Sequence, residues 1–116
     1  MKHLRKNRKF GRETKQRKEL LRDLMRALVA HSKITTTQAK AKGLKVHIEK
    51  LVTKAKAKNI ANIRALTSQL GAEYAKKLTG ELADKFANRR GGYTRIINLP
   101  RRKSDGAKMS IIEFVE

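Results

Sequence analysis

Hydrophobic residues recur with helical spacing along the first three quarters of the chain. Residues 13–31, 38–56 and 59–70 each show a one-sided apolar stripe, and a further stripe follows Gly71. Thr37 and Asn59 are residue types that cap helix N-termini, and Thr79-Gly80 predicts a kink or a split in the fourth helix. The residues predicted to face inward are Leu20, Leu21, Leu24, Met25, Leu28, Val29, Leu44, Ile48, Leu51, Val52, Ala55, Ile60, Ile63, Leu66, Leu70, Tyr74, Ala75, Leu78, Leu82 and Phe86.

Three segments are instead rich in β-branched and aromatic residues, which is typical of strands. They are residues 33–37, 94–99 and 109–115, and a long basic loop with a Ser104-Asp105-Gly106 turn joins the last two. We expect an antiparallel pair that accepts the first strand at one edge. The sequence therefore predicts a two-layer α+β fold, in the order α-β-α-α-α-β-β, with helices packed on a three-stranded sheet. Residues 13–116 would form this single globular domain, behind a basic N-terminal arm, residues 1–12.

Charge narrows the choice of partner. The chain has 30 Lys and Arg against 10 Asp and Glu, a formal net charge of +20 over 116 residues, and no cysteine. An excess of this size repels itself in the folded state and indicates a polyanionic partner. Nucleic acid fits best, since an anionic membrane surface would favour Trp or Phe opposite Lys and the chain has no Trp.

The basic arm has too few apolar side chains to fold alone, so we expect it to become ordered on a partner. The alternatives are a solvated tail and a localisation signal. The candidate RNA-binding residues in the arm and in the first helix are His3, Arg5, Lys6, Arg8, Lys9, Arg12, Lys15, Arg17, Lys18 and Arg22.

A second candidate is the stretch "RRGGYTRII", residues 89–97. Its paired glycines, Gly91 and Gly92, allow a tight turn and the close approach of another chain. The arginines would surround that turn, whereas Tyr93 could either stack on a base or lie in the core. The other candidates are on the hairpin loop and on the lysine face of the second helix, a face that could equally be only solvated. The candidates in these three segments are Arg89, Arg90, Gly91, Gly92, Tyr93, Arg95, Arg101, Arg102, Lys103, Lys40 and Lys42.

Other kinds of chemistry find no support in the sequence. Without cysteine there is neither a disulfide nor a thiolate metal site, and His3, His31 and His47 are not at metal-ligand spacing. No helix follows the double glycine, so it matches neither a phosphate-binding loop nor a dinucleotide turn. We predict no catalytic residue, metal, cofactor or small-molecule substrate, no membrane-spanning segment, and no enzyme activity.

Taken in order along the chain, "HLRKNRKFGRETKQR", "LLRDLMRALV", "ITTTQAKAKGLK", "RRGGYTRI", "PRRKSDGAKM" and "IIEFV" resemble one family from end to end. It is the L-seventeen family of bacterial large ribosomal subunit proteins. The resemblance implies a structural role in that subunit, with large-subunit ribosomal RNA near the peptide exit tunnel and neighbouring ribosomal proteins as partners. It also implies a role in subunit assembly and translation.

Two other nucleic-acid-binding classes share the charge. A DNA-compacting protein would usually need a dimer interface or minor-groove arms, which this pattern does not show. A free-standing RNA chaperone fits the charge as well, and co-sedimentation with ribosomes would separate it. The basic start directly after Met1 favours a bacterial cytoplasm.

Overall fold

The computed structural model describes residues 14–115, so the predicted arm, residues 1–12, lies outside the described part. Four helices and three strands are found there, in the predicted order. The last helix has three consecutive parts, which we number together as α4. The bounds are Thr14–His31 for α1, Lys33–Thr37 for β1, Gln38–Ala57 for α2, Ile60–Leu70 for α3, Ala72–Lys77, Leu78–Leu82 and Ala83–Lys85 for α4, Thr94–Leu99 for β2, and Met109–Phe114 for β3.

Both predicted caps are present. The Thr37 side chain accepts a hydrogen bond from the Lys40 amide at 3.4 Å, and Asn59 accepts one from the Asn62 amide at 2.8 Å. Each bond satisfies a backbone N–H that the first turn of a helix leaves free. The positions at which α2 and α3 begin therefore follow from local sequence.

The predicted kink in α4 is a π-helical stretch, Leu78–Leu82. The Thr79 hydroxyl donates a hydrogen bond to the Ala75 carbonyl oxygen at 2.9 Å within this helix. Such wider turns usually occur as single insertions in an α-helix. Leu78 and Leu82 remain buried on either side of Gly80, so the wider turn keeps the apolar face of α4 against the core.

The sheet has the order β1-β3-β2, and both pairings are antiparallel. Ile112 of the central strand lies opposite Ile34 on one side and Ile96 on the other. Because side chains alternate between the two faces of a strand, Ile112 and Phe114 point to the buried face, whereas Arg95 and Ile97 point away and are exposed. The predicted two-layer α+β fold is confirmed.

The hydrophobic core joins all four helices to one face of the sheet. Most residues predicted to face inward are buried or half-buried, but the prediction for Ile60 and Ile63 is wrong, since they are 69% and 39% exposed. Ile63 lies within about 20° of the buried Leu70 around the helix axis. Its exposure therefore reflects its position along α3: the core reaches Leu66 and Leu70 but not the first turn.

Arg26 connects α1 with the end of α3. Its Nε atom donates a hydrogen bond to the Leu70 carbonyl oxygen at 2.7 Å, and its guanidinium lies 5.5 Å from the centre of the Tyr74 ring. A cation at a helix C-terminus satisfies a free carbonyl and interacts favourably with the helix dipole. This arginine therefore stabilises the fold.

Candidate nucleic-acid interface

The segment between α4 and β2 presents two arginines to solvent. After α4, the Arg89 amide donates to the Phe86 carbonyl oxygen at 3.0 Å, which closes a turn. Arg89, Arg90, Gly91 and Gly92 are all exposed. Gly92 has a positive φ, +62°, and the Arg89 Nε atom donates to the Gly92 carbonyl oxygen at 3.2 Å. The outcome is a short, basic, solvent-facing loop.

Of the two alternatives for Tyr93, the structure shows the core. Its side chain is 1% exposed, and its ring packs against that of Phe86 with centroids 5.3 Å apart. A ring held in this way cannot stack on an RNA base, so the prediction of a stacking contact is corrected. Sequence could not decide, because a tyrosine beside a basic turn suits both roles.

Arg95 lies at the start of β2 on the exposed face of the sheet. It pairs with Glu113 across the strands, with 2.7 Å between Arg95 Nε and Glu113 Oε1. The guanidinium has further donors beyond this bond and is 58% exposed. Arg95 is therefore available to an anion, although Glu113 already pairs with it.

The hairpin loop, residues 100–108, is held by internal bonds. Arg102 makes a two-pronged ion pair with Asp105, at 3.0 and 2.7 Å, and Arg101 donates to the Gly106 carbonyl oxygen at 3.0 Å. The hydrogen bond from Arg102 lowers the pKa of Asp105 to about 2. Arg102 and Arg101 therefore both help to shape the loop, and Arg101 and Lys103 are also exposed to solvent.

The basic residues on α1 form a row. Lys15, Lys18 and Arg22 are spaced by three and four residues, so they share one helix face, and all three are exposed. Arg17 is half-buried and donates to the Thr14 hydroxyl at 2.9 Å. On α2, Lys42 is exposed and Lys40 half-buried. The remaining candidates lie outside the described residues: His3, Arg5, Lys6, Arg8, Lys9 and Arg12.

The fold places the two arginine-rich loops apart. The Arg89–Gly92 loop precedes β2 and the loop of residues 100–108 follows it, so the length of that strand, about 17 Å, separates them. The Lys108 carbonyl oxygen accepts a bond from the Gln38 amide at the start of α2, whereas Lys56 near its end contacts Arg89. A single small anion cannot reach both loops, but an extended polyanion can.

Few of the cations are neutralised within the described part of the chain. Residues 14–115 contain 24 Lys and Arg and 8 Asp and Glu. Three ion pairs are found among these residues, namely Lys58 with Asp84, Arg95 with Glu113, and Arg102 with Asp105. The folded surface therefore keeps a strong positive excess, which attracts polyanions over a distance set by ionic strength.

Two α2 residues at this site were not found from sequence. Lys56 donates hydrogen bonds to the Arg89 carbonyl oxygen and, at 3.0 Å, to the Tyr93 hydroxyl. Glu49 accepts from the Thr94 amide at 3.2 Å and from its hydroxyl at 3.1 Å. Lys56 looked like one more lysine of a solvated face. Glu49 did carry a signal, since it is the single acid of α2, but its partner is 45 residues away.

Neither a metal site nor a membrane span emerges from residues 14–115. No group of three or more His, Asp or Glu side chains in that range could hold a metal ion. Within the same range, no helix is both long and apolar enough to cross a bilayer.

Comparison with known proteins finds the same family by a family model and by individual relatives. The family model of ribosomal protein L17 matches residues 20–115. A large ribosomal subunit protein bL17 of Coprothermobacter proteolyticus is 46% identical over 115 residues, covering 98% of both chains. The bL17 of Nautilia profundicola is 46% identical, covering 99% of this chain and 98% of its own. That of Thermotoga maritima is 40% identical over the whole of this chain and 95% of its own.

Proposed function

Since this chain belongs to the ribosomal protein L17 family, we propose that it binds and stabilises large-subunit ribosomal RNA as a structural component of the large ribosomal subunit. Its proposed place is near the exit of the peptide tunnel, beside other large-subunit proteins, in a bacterial cytoplasm. There it supports subunit assembly and translation without catalysing a reaction.

The observation that carries the RNA-binding role is the exposed Arg89–Gly92 loop. Arg89 and Arg90 are solvent-facing, while the residues on both sides of the loop are fixed by the core and by α2. Guanidinium groups donate in a planar fork that matches phosphate oxygens. Because the loop is held in place, little ordering is required when it binds.

Phosphate contacts of this kind provide affinity and position rather than sequence reading. Folded RNA is recognised largely by its shape, its phosphates and its 2′-hydroxyls, which suits several separate groups of cations on one rigid protein. The α1 row, the Arg89–Gly92 loop and the loop of residues 100–108 are three such groups. The two loops, at opposite ends of β2, suit an RNA surface that spans the length of the sheet.

The RNA contact of the loop is tested with Arg89→Ala combined with Arg90→Ala. Binding to large-subunit ribosomal RNA is measured at several salt concentrations. Each lost phosphate contact should reduce the salt slope by about 1, so we expect a reduction of about 2 and weaker binding. Arg64→Ala with Lys76→Ala is the matched control, since both residues are exposed and lie on α3 and α4. Equal slopes in the two double variants would refute a contact by the loop.

Membership of the subunit is tested by sedimentation of cell extracts through sucrose at rising salt. An integral ribosomal protein should remain with the large subunit at salt concentrations that remove loosely bound cations. Release at about 0.2 M salt, or migration near the top of the gradient, would favour the RNA chaperone. Migration with DNA would favour the DNA-compacting protein.

The proposed location is tested by cross-linking. The chain has no cysteine, so Lys103→Cys introduces a unique attachment point at an exposed loop residue. Incorporated into ribosomes and cross-linked, this variant should yield RNA segments and proteins around the tunnel exit. Cross-links confined to the face that joins the small subunit would reject that location. Lys76→Cys provides a second attachment point, on α4, and its cross-links identify the neighbours of that part of the protein.

A further inference from the structure

The Arg89–Thr94 segment is attached to α2 at its first residue and at its last two. At the beginning, the Lys56 ammonium donates to the Arg89 carbonyl oxygen and to the Tyr93 hydroxyl, the latter at 3.0 Å. The Tyr93 hydroxyl in turn donates to the Arg89 carbonyl oxygen at 3.2 Å. These three groups close a polar triangle that joins Arg89 to Tyr93 across the turn.

The end of the segment is attached by a second α2 residue. One carboxylate oxygen of Glu49 accepts from both the amide and the hydroxyl of Thr94, a residue that is 3% exposed. Glu49 and Lys56 are seven residues apart, which is almost two full turns, so they lie on the same face of α2, about 10 Å apart along its axis. One helix face therefore contacts both ends of the segment.

Packing in the core and a backbone hydrogen bond also hold Tyr93 in place. Its ring packs against Phe86, and its carbonyl oxygen accepts from the Val115 amide at 2.9 Å. Between the fixed ends, Arg90, Gly91 and Gly92 are exposed. A β-carbon built on either glycine meets no atom of the described residues within 4 Å. The segment is therefore a loop with fixed ends and an open, arginine-bearing middle.

We propose that Lys56 and Glu49 are positioning residues, which hold the Arg89–Thr94 segment in its RNA-binding shape while Lys56 itself contacts no phosphate. The inference rests on the proposed RNA-binding function. It assigns opposite roles to similar residues: exposed Lys54 is free for a polyanion, whereas half-buried Lys56 uses its donors within the protein. Hydrogen bonds from an ammonium are stronger than neutral ones, and a loop held in advance loses less entropy on binding.

The tyrosine provides a reporter that is independent of RNA. The hydrogen bond from Lys56 lowers the pKa of Tyr93 from its usual value of 10.0, while burial raises it. Tyr74 is the single other tyrosine, so labelled tyrosine rings give two separable signals in a nuclear magnetic resonance titration. Loss of the Lys56 contact should raise the pKa of Tyr93.

The experiment compares Lys56→Met with Lys54→Met, which removes the same charge from the same helix. The pKa of Tyr93 is measured in the free full-length protein, and affinity is measured with large-subunit ribosomal RNA. For Lys56→Met we expect a higher pKa of Tyr93 and about tenfold weaker binding, because the backbone at Arg89 would then have to be ordered when the RNA binds. Lys54→Met should leave the Tyr93 titration as in the parent protein. Lys56→Arg, which restores a donor, should recover most of the affinity.

Two results would overturn the inference: an unchanged pKa of Tyr93 in Lys56→Met, or a raised pKa with undiminished RNA affinity. Should Lys56→Met fail to fold, Tyr93→Phe retains the ring and removes the hydroxyl, and unchanged affinity in that variant would count against the inference. Failure of the proposed function has a different signature. It would appear as full affinity in Arg89→Ala with Arg90→Ala while the pKa of Tyr93 stays low.

Discussion

Lys54 and Lys56 lie two residues apart on α2, yet only Lys56 contacts the Arg89–Thr94 segment. The same division recurs among the arginines. Arg26 caps α3 through the Leu70 carbonyl oxygen, whereas Arg22, one helical turn earlier, is exposed. At the scale of residues, the partner and not the residue type decides whether a cation shapes the protein or faces outward.

The two glycines of the Arg89–Gly92 loop differ in backbone conformation, so their contributions to stability can be measured separately. Gly92 adopts φ of +62°, where an L side chain is strained, whereas Gly91 does not have a positive φ. We expect Gly92→Ala to lower the free energy of unfolding by about 1 kcal/mol. Gly91→Ala should change it by less than about 0.5 kcal/mol. Denaturant unfolding of both variants measures the difference, and equal losses would contradict the role given to Gly92.

RNA binding by the Gly91→Ala variant gives separate information. The added β-carbon would meet no atom of residues 14–115 within 4 Å, so a loss of affinity without a loss of stability would indicate a close contact with the bound RNA. If an RNA backbone passes close to this turn, affinity for large-subunit ribosomal RNA should fall while stability is retained. Undiminished affinity would show that no close approach occurs at Gly91.

At the scale of elements, the junction of α3 and α4 depends on one residue. Gly71 has φ of +98° and ψ of 156°, a region that is essentially restricted to glycine, and it ends one helix and begins the next. A β-carbon there would lie 3.6 Å from an Arg26 nitrogen, so strain and not collision is the limit. Two helices are thereby joined without a connecting loop.

Replacing glycines in this region should have opposite effects on stability. Gly71→Ala should lower the free energy of unfolding by about 1–3 kcal/mol because of backbone strain. Gly80→Ala, at a helical position with open space, should raise it by up to about 1 kcal/mol because alanine favours helix. Thermal unfolding of the two variants provides the comparison. A destabilised Gly80→Ala would mean that the π-helical stretch needs its glycine.

The stability of the hairpin loop should depend on pH through the Arg102–Asp105 ion pair. Because Arg102 lowers the pKa of Asp105 to about 2, from 3.8, the ion pair contributes its full stabilisation above pH 3.8 and loses it as pH falls towards 2. A carboxyl titration by nuclear magnetic resonance should show this, with a higher pKa in Arg102→Met. Arg101→Met is the control, since Arg101 bonds to the Gly106 carbonyl oxygen. Equal shifts in both variants would contradict the pairing.

At the scale of the whole molecule, positive charge opposes folding and favours association. Raising NaCl from about 0.01 M to about 1 M shortens the screening length from about 30 to about 3 Å. With a net charge of +20, we expect the midpoint of thermal unfolding to rise by several degrees. This shift corresponds to a gain on the order of 1 kcal/mol in the free energy of unfolding. The double variant Lys50→Gln, Lys54→Gln should show a smaller rise. A midpoint that falls with salt would indicate that ion pairs dominate.

Local sequence was sufficient to predict the helices and strands and the class of partner. Helical spacing, the caps at Thr37 and Asn59, and β-branched runs are interactions between near neighbours, so they predicted the order of elements and the fold class. The net charge, a sum over residues, pointed to a polyanion without reference to the fold. Order and spacing of whole motifs indicated the family.

Tertiary structure decided what depends on residues far apart in the chain. The exposure of Ile63 follows from where the core ends along α3, and the burial of Tyr93 from its packing against Phe86. The attachment of Arg89 and Thr94 to α2 joins residues 33 and 45 positions apart. No periodicity or local propensity encodes such pairs, because they form only when the helix and the strand pack together. Sequence alone thus determined the elements and the charge, and packing determined which cations are free to bind.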